Sequence, residues 1–200
     1  MGILQNLRVL TKLLLLTMIS IMGLGTVVLI SIDGIGTVFK LNGKLYGQRV
    51  VPLTLLKQVS DLYAVNIVDA AHKVRNGNFT PEEGLSAMNS AQGDIHKLWD
   101  EYRGMVKESK EQEAARQVEG QFAAADETVK HLILSLKERD TTRLAAIIRN
   151  ELYQSIDPVS GSIGELINYE LSASKTDFSE AEAIFSEWPR LLKRCIAFPT

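Results

Sequence analysis

Arg149, Asn66, Gln92 and Tyr153 carry between them the donors that hold a carboxylate: one guanidinium fork, two amides and a phenol. A guanidinium matches both oxygens of a carboxylate, and charge-assisted hydrogen bonds of this kind are about twice as strong as neutral ones. Arg149 stands in a run of alternating threes and fours, Ala145, Arg149, Leu152, Ile156, Val159, Ile163, Leu166 and Glu170, where an apolar helical seam is expected. Counting inward from the tips of antiparallel helices puts Arg149 level with Val68, Asp69 and Val129, with Gln92 slightly deeper. Asn66, Asp69 and Lys73 continue a three-four spacing from Leu55, Val59 and Leu62, so a polar layer is expected across the distal core. Buried charge is costly unless it is satisfied. Two readings follow: Arg149 pairs with Asp69 and fixes the register, or Arg149, with Asn66, Gln92 and Tyr153, receives the carboxylate of a ligand.

Other chemistry finds little support. His72, His96 and His131 belong to three different helical segments, and no Glu-x-x-His pair or Cys-x-x-Cys-His attachment accompanies them. Asp94 and His96 are two residues apart and point away from each other on a helix. Neither a glycine-rich phosphate loop, nor a serine elbow, nor a pair of catalytic carboxylates is present. The sequence therefore predicts no enzyme, no metal and no cofactor. With 22 basic and 24 acidic residues and a net charge of −2, it is neither a polybasic nucleic-acid binder nor a disordered acidic tail. The single cysteine, Cys195, excludes a disulfide scaffold and is read as incidental.

The elements that would position these side chains are helical. Hydrophobic residues make up 46% of the 200-residue chain, aromatics 6%, and there are five prolines, a balance that favours aliphatic helical seams over a β-sandwich. Residues 13–32, LLLLTMISIMGLGTVVLISI, run without a charge for about 30 Å as a helix, the thickness of a bilayer core. The run exceeds a signal-peptide core and lacks a small-x-small end, which predicts an uncleaved anchor in a membrane. Arg8 and Lys12 before it and Asp33 after it put residues 1–12 in the cytoplasm, although Lys40 and Lys44 blunt the asymmetry. Met1-Gly2 begins like a myristoylation signal, but Asn6 stands where Ser or Thr is needed.

Residues 33–187 read as four helices in an up-down-up-down antiparallel bundle, an all-α fold with long helices one and four. Helix one is expected to reach Asn76, with Gly77 as its stop. Thr80-Pro81-Glu82-Glu83 forms a capping box with proline at the first helical position, and helix two runs to about Lys107. Ser109 with Gln112 repeats the capping pattern for helix three, which ends near Arg139; Asp140 or Thr141 caps helix four. The helix-two seam is Leu85, Met88, Gln92, Ile95, Trp99, Tyr102 and Val106; that of helix three is Val118, Phe122, Ala125, Val129, Leu132 and Leu136. On helix one, Leu62, Val65 and Val68 lie off the face of Leu56, Val59, Tyr63, Ile67 and Val74, which fits either a homodimer or one broad core face. Pro158 inside helix four predicts a kink. After Glu187 the text WPRLLKRCIAFPT, with Pro189, Pro199 and three cations, predicts an irregular tail over 188–200 and no second span.

An N-terminal span followed by a long-short-short-long bundle resembles the four-helix-bundle sensor domain of bacterial methyl-accepting chemotaxis proteins. The stretch LYAVNIVDAAHKVRNGNFTPEEGLSAMNSAQGDIHKLWDEYRG, residues 62–104, is similar to the helix-one to helix-two hairpin of that family, and the resemblance extends more loosely from about Val9 to Glu187. It implies a homodimer in the inner membrane with its bundle in the periplasm. There a small molecule, often an organic acid or amino acid, binds between helices near the distal end and shifts helix four against helix one. By position in that family's distal site, Arg75 with His72 and Lys73 are further candidates, although a solvated helix end rich in cations also suits the helix dipole. The complete family continues into a second span, a HAMP linker and a methylated signalling hairpin. Their absence after Glu187 gives the expectation of a truncated receptor. The alternatives are a ligand-free, membrane-anchored dimerisation module, or the sensor portion of a histidine kinase or diguanylate cyclase.

Overall fold

The computed structural model describes residues 8–196, with side chains except those of 184, 185 and 187–196. Met1-Gly2, Asn6, the side chain of Cys195 and residues 197–200 lie outside the described residues. The chain divides into two units, residues 1–44 and 45–200.

In the first unit α1 (Val9–Leu45) buries no residue, and it is long and apolar enough to cross a membrane. Its few polar side chains are satisfied locally. The hydroxyls of Thr17, Ser20, Thr26 and Ser31 each donate to the backbone carbonyl of Leu13, Leu16, Met22 and Val27, four residues back, at 2.7–3.1 Å. Such back-bonding is what lets Ser and Thr sit in an apolar helix without an unpaired donor.

The second unit is an antiparallel four-helix bundle. Helix one comprises α2 (Val51–Asp61), a π-helical stretch (Leu62–Asp69) and α3 (Ala70–Arg75); helix two is α4 (Pro81–Met105) and helix three α5 (Ser109–Lys137). Helix four comprises α6 (Thr141–Ile147), a π turn (Ile148–Leu152) and α7 (Tyr153–Ile196). Successive helices pack on each other, and α7 closes the ring against α2 and α5. The turns at 76–80 and 138–140 define the tip of the bundle; the connection at 106–108 marks its base. Leu56, Val59, Tyr63, Ile67, Met88, Ile95, Val118, Leu132, Leu152, Ile156, Ile163 and Leu166 fill the core.

The helix ends have the expected chemistry at the tip. Thr80 Oγ1 accepts from Glu83 N–H at 3.2 Å while Glu83 Oε2 accepts from Thr80 N–H at 2.8 Å, the reciprocal pair of a capping box. Gly77, at φ 77°, and Arg139, at φ 54°, reverse the chain after helices one and three. The left-handed turn lets Asn78 N–H reach Lys73 O and Asp140 N–H reach Ser135 O.

Three details differ from expectation. The N-cap of helix three is Glu108, without a side-chain cap bond, and Ser109 is the first helical residue. The Glu108 carboxylate is engaged elsewhere, as described below. Arg149 is exposed, and Ile148 takes the core position. The π turn at 148–152 explains this: its wider turn spaces the buried residues by four, Leu144, Ile148 and Leu152, so a strict three-four count slips onto Arg149. Pro158 is exposed within α7, and helix four also carries that π turn upstream of the proline. Finally, α7 stays helical past Pro189 to Ile196, so residues 188–196 are not irregular. One proline removes one backbone hydrogen bond, which the surrounding turns of a long helix can absorb.

Candidate functional site

At the tip, helices one and four meet through a polar contact. His72 Nε2 and the Tyr153 hydroxyl are 2.8 Å apart, with ring centroids at 5.9 Å. Helical spacing puts Arg75 three residues beyond His72 and Arg149 four residues before Tyr153, each about a turn toward the tip. Burial and the Arg75 charge hold the His72 imidazole below its ordinary pKa, outweighing Asp69, so it is neutral at pH 7 and trades one hydrogen bond with Tyr153.

The carboxylates nearby are taken. Asp69 pairs with Lys73 at 2.6 Å, and Glu151 with His131 at 2.8 Å. Among the described residues Arg75 bonds only the Asn76 side chain and Arg149 forms no ion pair, so the expected Arg149–Asp69 pair is not made. Two exposed cations thus flank the His72–Tyr153 link with no carboxylate neutralising either. The remaining candidates are dispersed. Asn66 and Lys73 line a groove of about 390 Å³ between helices one and two, beside Phe79, Glu83 and Ser86. Asn66 also lines a larger groove of about 660 Å³ with Leu62, Val65, Lys97 and Leu98. Gln92 is half-buried one turn from His96, which bonds Asp126 of helix three at 3.0 Å and meets Phe122 edge-on. Neither groove is lined by Arg149 or Gln92. Among the described residues the expected layer of Asn66, Asp69, Gln92 and Arg149 is not buried; Ile67, Ala70, Ala71, Met88, Ala91, Val129, Leu132, Ile147 and Ile148 pack in the distal core, with Thr128 and Ser135 buried beside them.

The buried charge lies at the other end. Pro52 cannot donate a backbone N–H, and just before it the chain makes a π turn (Tyr46–Val50) in which Val51 N–H reaches Tyr46 O. This turn carries Arg49, 9% exposed, into the base of the bundle. Its Nε donates to Asp177 Oδ2 at 2.8 Å, Nη1 to Glu170 Oε2 at 3.2 Å and Nη2 to Glu108 Oε1 at 2.8 Å. One guanidinium thus ties helix one to helix four and to the connection between helices two and three. Tyr169 donates its hydroxyl to Glu108, and Tyr102 donates to Glu111 Oε1 at 2.9 Å. Glu111 and Glu170 are 4% and 1% exposed. Burial, and then Glu111, push the Glu170 carboxyl up to about 8 against the pull of Arg49. Burial would lower the Arg49 pKa, but its carboxylate partners prevail and raise it.

This base cluster escaped the sequence reading apart from Glu170, although its signal is there. Arg49, Pro52, Leu56 and Val59 continue one seam, and Glu111, Ala115 and Val118 another, each with three-four steps. A cation and two acids on seams at one end of a bundle announce a buried ionic layer.

An all-α antiparallel bundle with an apolar helix N-terminal to it, charged cross-ties at its base and cations at its tip has the build of a sensing and transmitting module. The chain belongs to the family of four-helix-bundle sensory modules for signal transduction, whose pattern matches residues 6–185. It is similar to the methyl-accepting chemotaxis protein NahY of Pseudomonas putida, at 29% identity over 181 residues, covering 90% of this chain and 34% of that protein. The chain thus spans about a third of the length of that relative. No solved structure matches it. The family gives the broad role as sensing in signal transduction, and with the apolar N-terminal helix it points to membrane anchoring.

Proposed function

We propose that this chain is the membrane-anchored sensor of a chemoreceptor and binds a small anionic metabolite, an organic acid or amino acid, at the tip of its bundle. Residues 13–32 cross the inner membrane, residues 1–12 are cytoplasmic, and residues 33–187 form the periplasmic part, working as a homodimer. Arg75 and Arg149 receive the carboxylate by charge-assisted hydrogen bonds, and Tyr153 and His72 orient it. The observation that carries this reading is the pair of cations, without an ion-pair partner among the described residues, beside the His72–Tyr153 link at the tip. A ligand that competes for Tyr153 changes how helix four sits against helix one, which is the motion such a sensor must transmit.

Calorimetric titration of the full chain in lipid nanodiscs with a panel of organic acids and amino acids tests this. A binding acid is expected to lose about tenfold to a hundredfold in affinity in Arg149→Ala and in Arg75→Ala. Unchanged affinity in both variants removes the site from the tip. Silence across the panel would favour a dimerisation module that binds nothing small.

A further inference from the structure

Glu111 of helix three and Glu170 of helix four are both almost without solvent in the base cluster, where Glu111 lies one turn from Glu108 and Glu108 shares Arg49 with Glu170. Two carboxyls close together at a site of low polarity cannot both be ionised cheaply; a proton between them turns repulsion into an O–H···O⁻ bond. The neighbours do not remove this constraint. From helix one comes Arg49, whose guanidinium is already divided among Glu108, Glu170 and Asp177. Helix two brings Tyr102, donating to Glu111, with Arg103 beyond it. Helix four adds Asp177 and Tyr169, and the latter binds the Glu108 carboxylate of the connecting turn. Three carboxylates, Glu108, Glu170 and Asp177, share the one Arg49 guanidinium.

We propose that Glu111 and Glu170 form a proton-binding site whose occupancy sets how firmly helices one and three hold helix four at the base, making acidity a second input to the module. With the proton in place, Glu170 bridges Glu111 and Arg49, and the base is latched. Without it two buried anions face each other, and the strain is relieved by helix four moving away from helix three while Asp177 keeps its hold on Arg49. The folded-state pKa of Glu170 lies above the ordinary carboxylate value, so the stabilisation is complete below that ordinary value. It is lost as pH rises through about 8. The site stands whether or not a metabolite binds at the tip, and its test uses no ligand.

Thermal melts of the full chain in nanodiscs, between about pH 5 and about pH 9, are expected to show Tm falling by about 2–4 °C per pH unit through this window. Glu170→Gln has no ionisable proton and is expected to flatten the slope. Glu111→Gln leaves Glu170 without its like-charged neighbour and should flatten it too, so the test survives if one variant fails to fold. Spin labels at the exposed positions Lys110 of helix three and Lys175 of helix four, in a Cys195→Ser background, read the movement directly. Their distance distribution should lengthen or broaden at alkaline pH in the parent and stay fixed in the glutamine variants. Parent and variants with the same slope and the same pH-independent distances would overturn the proposal.

Discussion

Tyr63 shows what a single side chain contributes to this bundle. It is 1% exposed, its ring fills the core between helices, and its hydroxyl has no hydrogen-bond partner among the described residues. Burial, with the Asp126 charge, raises the phenol pKa well above its ordinary value, so it is neutral at any physiological pH. An unpaired buried hydroxyl costs about 1–3 kcal/mol of desolvation. Tyr63→Phe keeps the packing and removes the orphan, so Tm is expected to rise by about 2–4 °C; a fall of that size would mean that the hydroxyl is bonded. Arg149 teaches the complementary lesson. A three-four count puts it on a seam, yet it is exposed, because a one-residue slip in a helix turns a side chain by about 100°. Arg49 and Glu111 sat on true seam positions and were legible in the text, but only by reading the seams to the end of the bundle where no ligand was sought.

Helix boundaries were the most readable elements, because the capping box of Thr80 and Glu83 and the stop at Gly77 are local chemistry that needs no partner. The cap of helix three was less so: Glu108 is drawn to Arg49 and Tyr169, partners remote in sequence. The three π turns were invisible for the same reason, since a widened turn answers the packing of neighbouring helices and leaves no residue signature beyond Pro52. Close packing at the tip makes a prediction at this level. A Cβ on the buried Gly84 would lie 2.5 Å from Val74 Cγ2 and 3.3 Å from Leu136 Cδ1, and valine has little rotamer freedom in a helix. Gly84→Ala is therefore expected to destabilise the bundle by about 1–2 kcal/mol despite its gain in helix propensity. Gly93 has nothing within 4 Å of such a Cβ, and Gly93→Ala should stabilise by up to about 1 kcal/mol. Opposite signs for the two variants in thermal melts confirm that the helices are in their described register; equal signs would contradict it.

Across the bundle as a whole, Leu62, Val65 and Val68 make an apolar strip on helix one, with Leu62 and Val68 partly buried against the core. Val65 is 52% exposed there, and with Leu62 and Leu98 it borders the larger groove. A second copy of the chain related by a two-fold axis would cover such a strip, since the same patch is then buried twice. In a Cys195→Ser background, Val65→Cys is expected to form an intermolecular disulfide under mild oxidation in nanodiscs. The exposed control Asp157→Cys on helix four should remain monomeric, and equal cross-linking of the two would argue against this interface. Fold class, helix order, tip turns and the apolar N-terminal segment follow from periodicity, capping and hydropathy, which act between residues near one another in the chain. Which polar groups are buried, and with whom, was settled by contacts between residues up to 128 positions apart, as in Arg49 and Asp177. Small shifts of helical register redirect those contacts, and a linear spacing rule cannot register a π turn imposed from outside the helix. The periodicity of each strand of text placed the charges on helices; packing four helices together chose the base, rather than the tip, as the place where charge is enclosed.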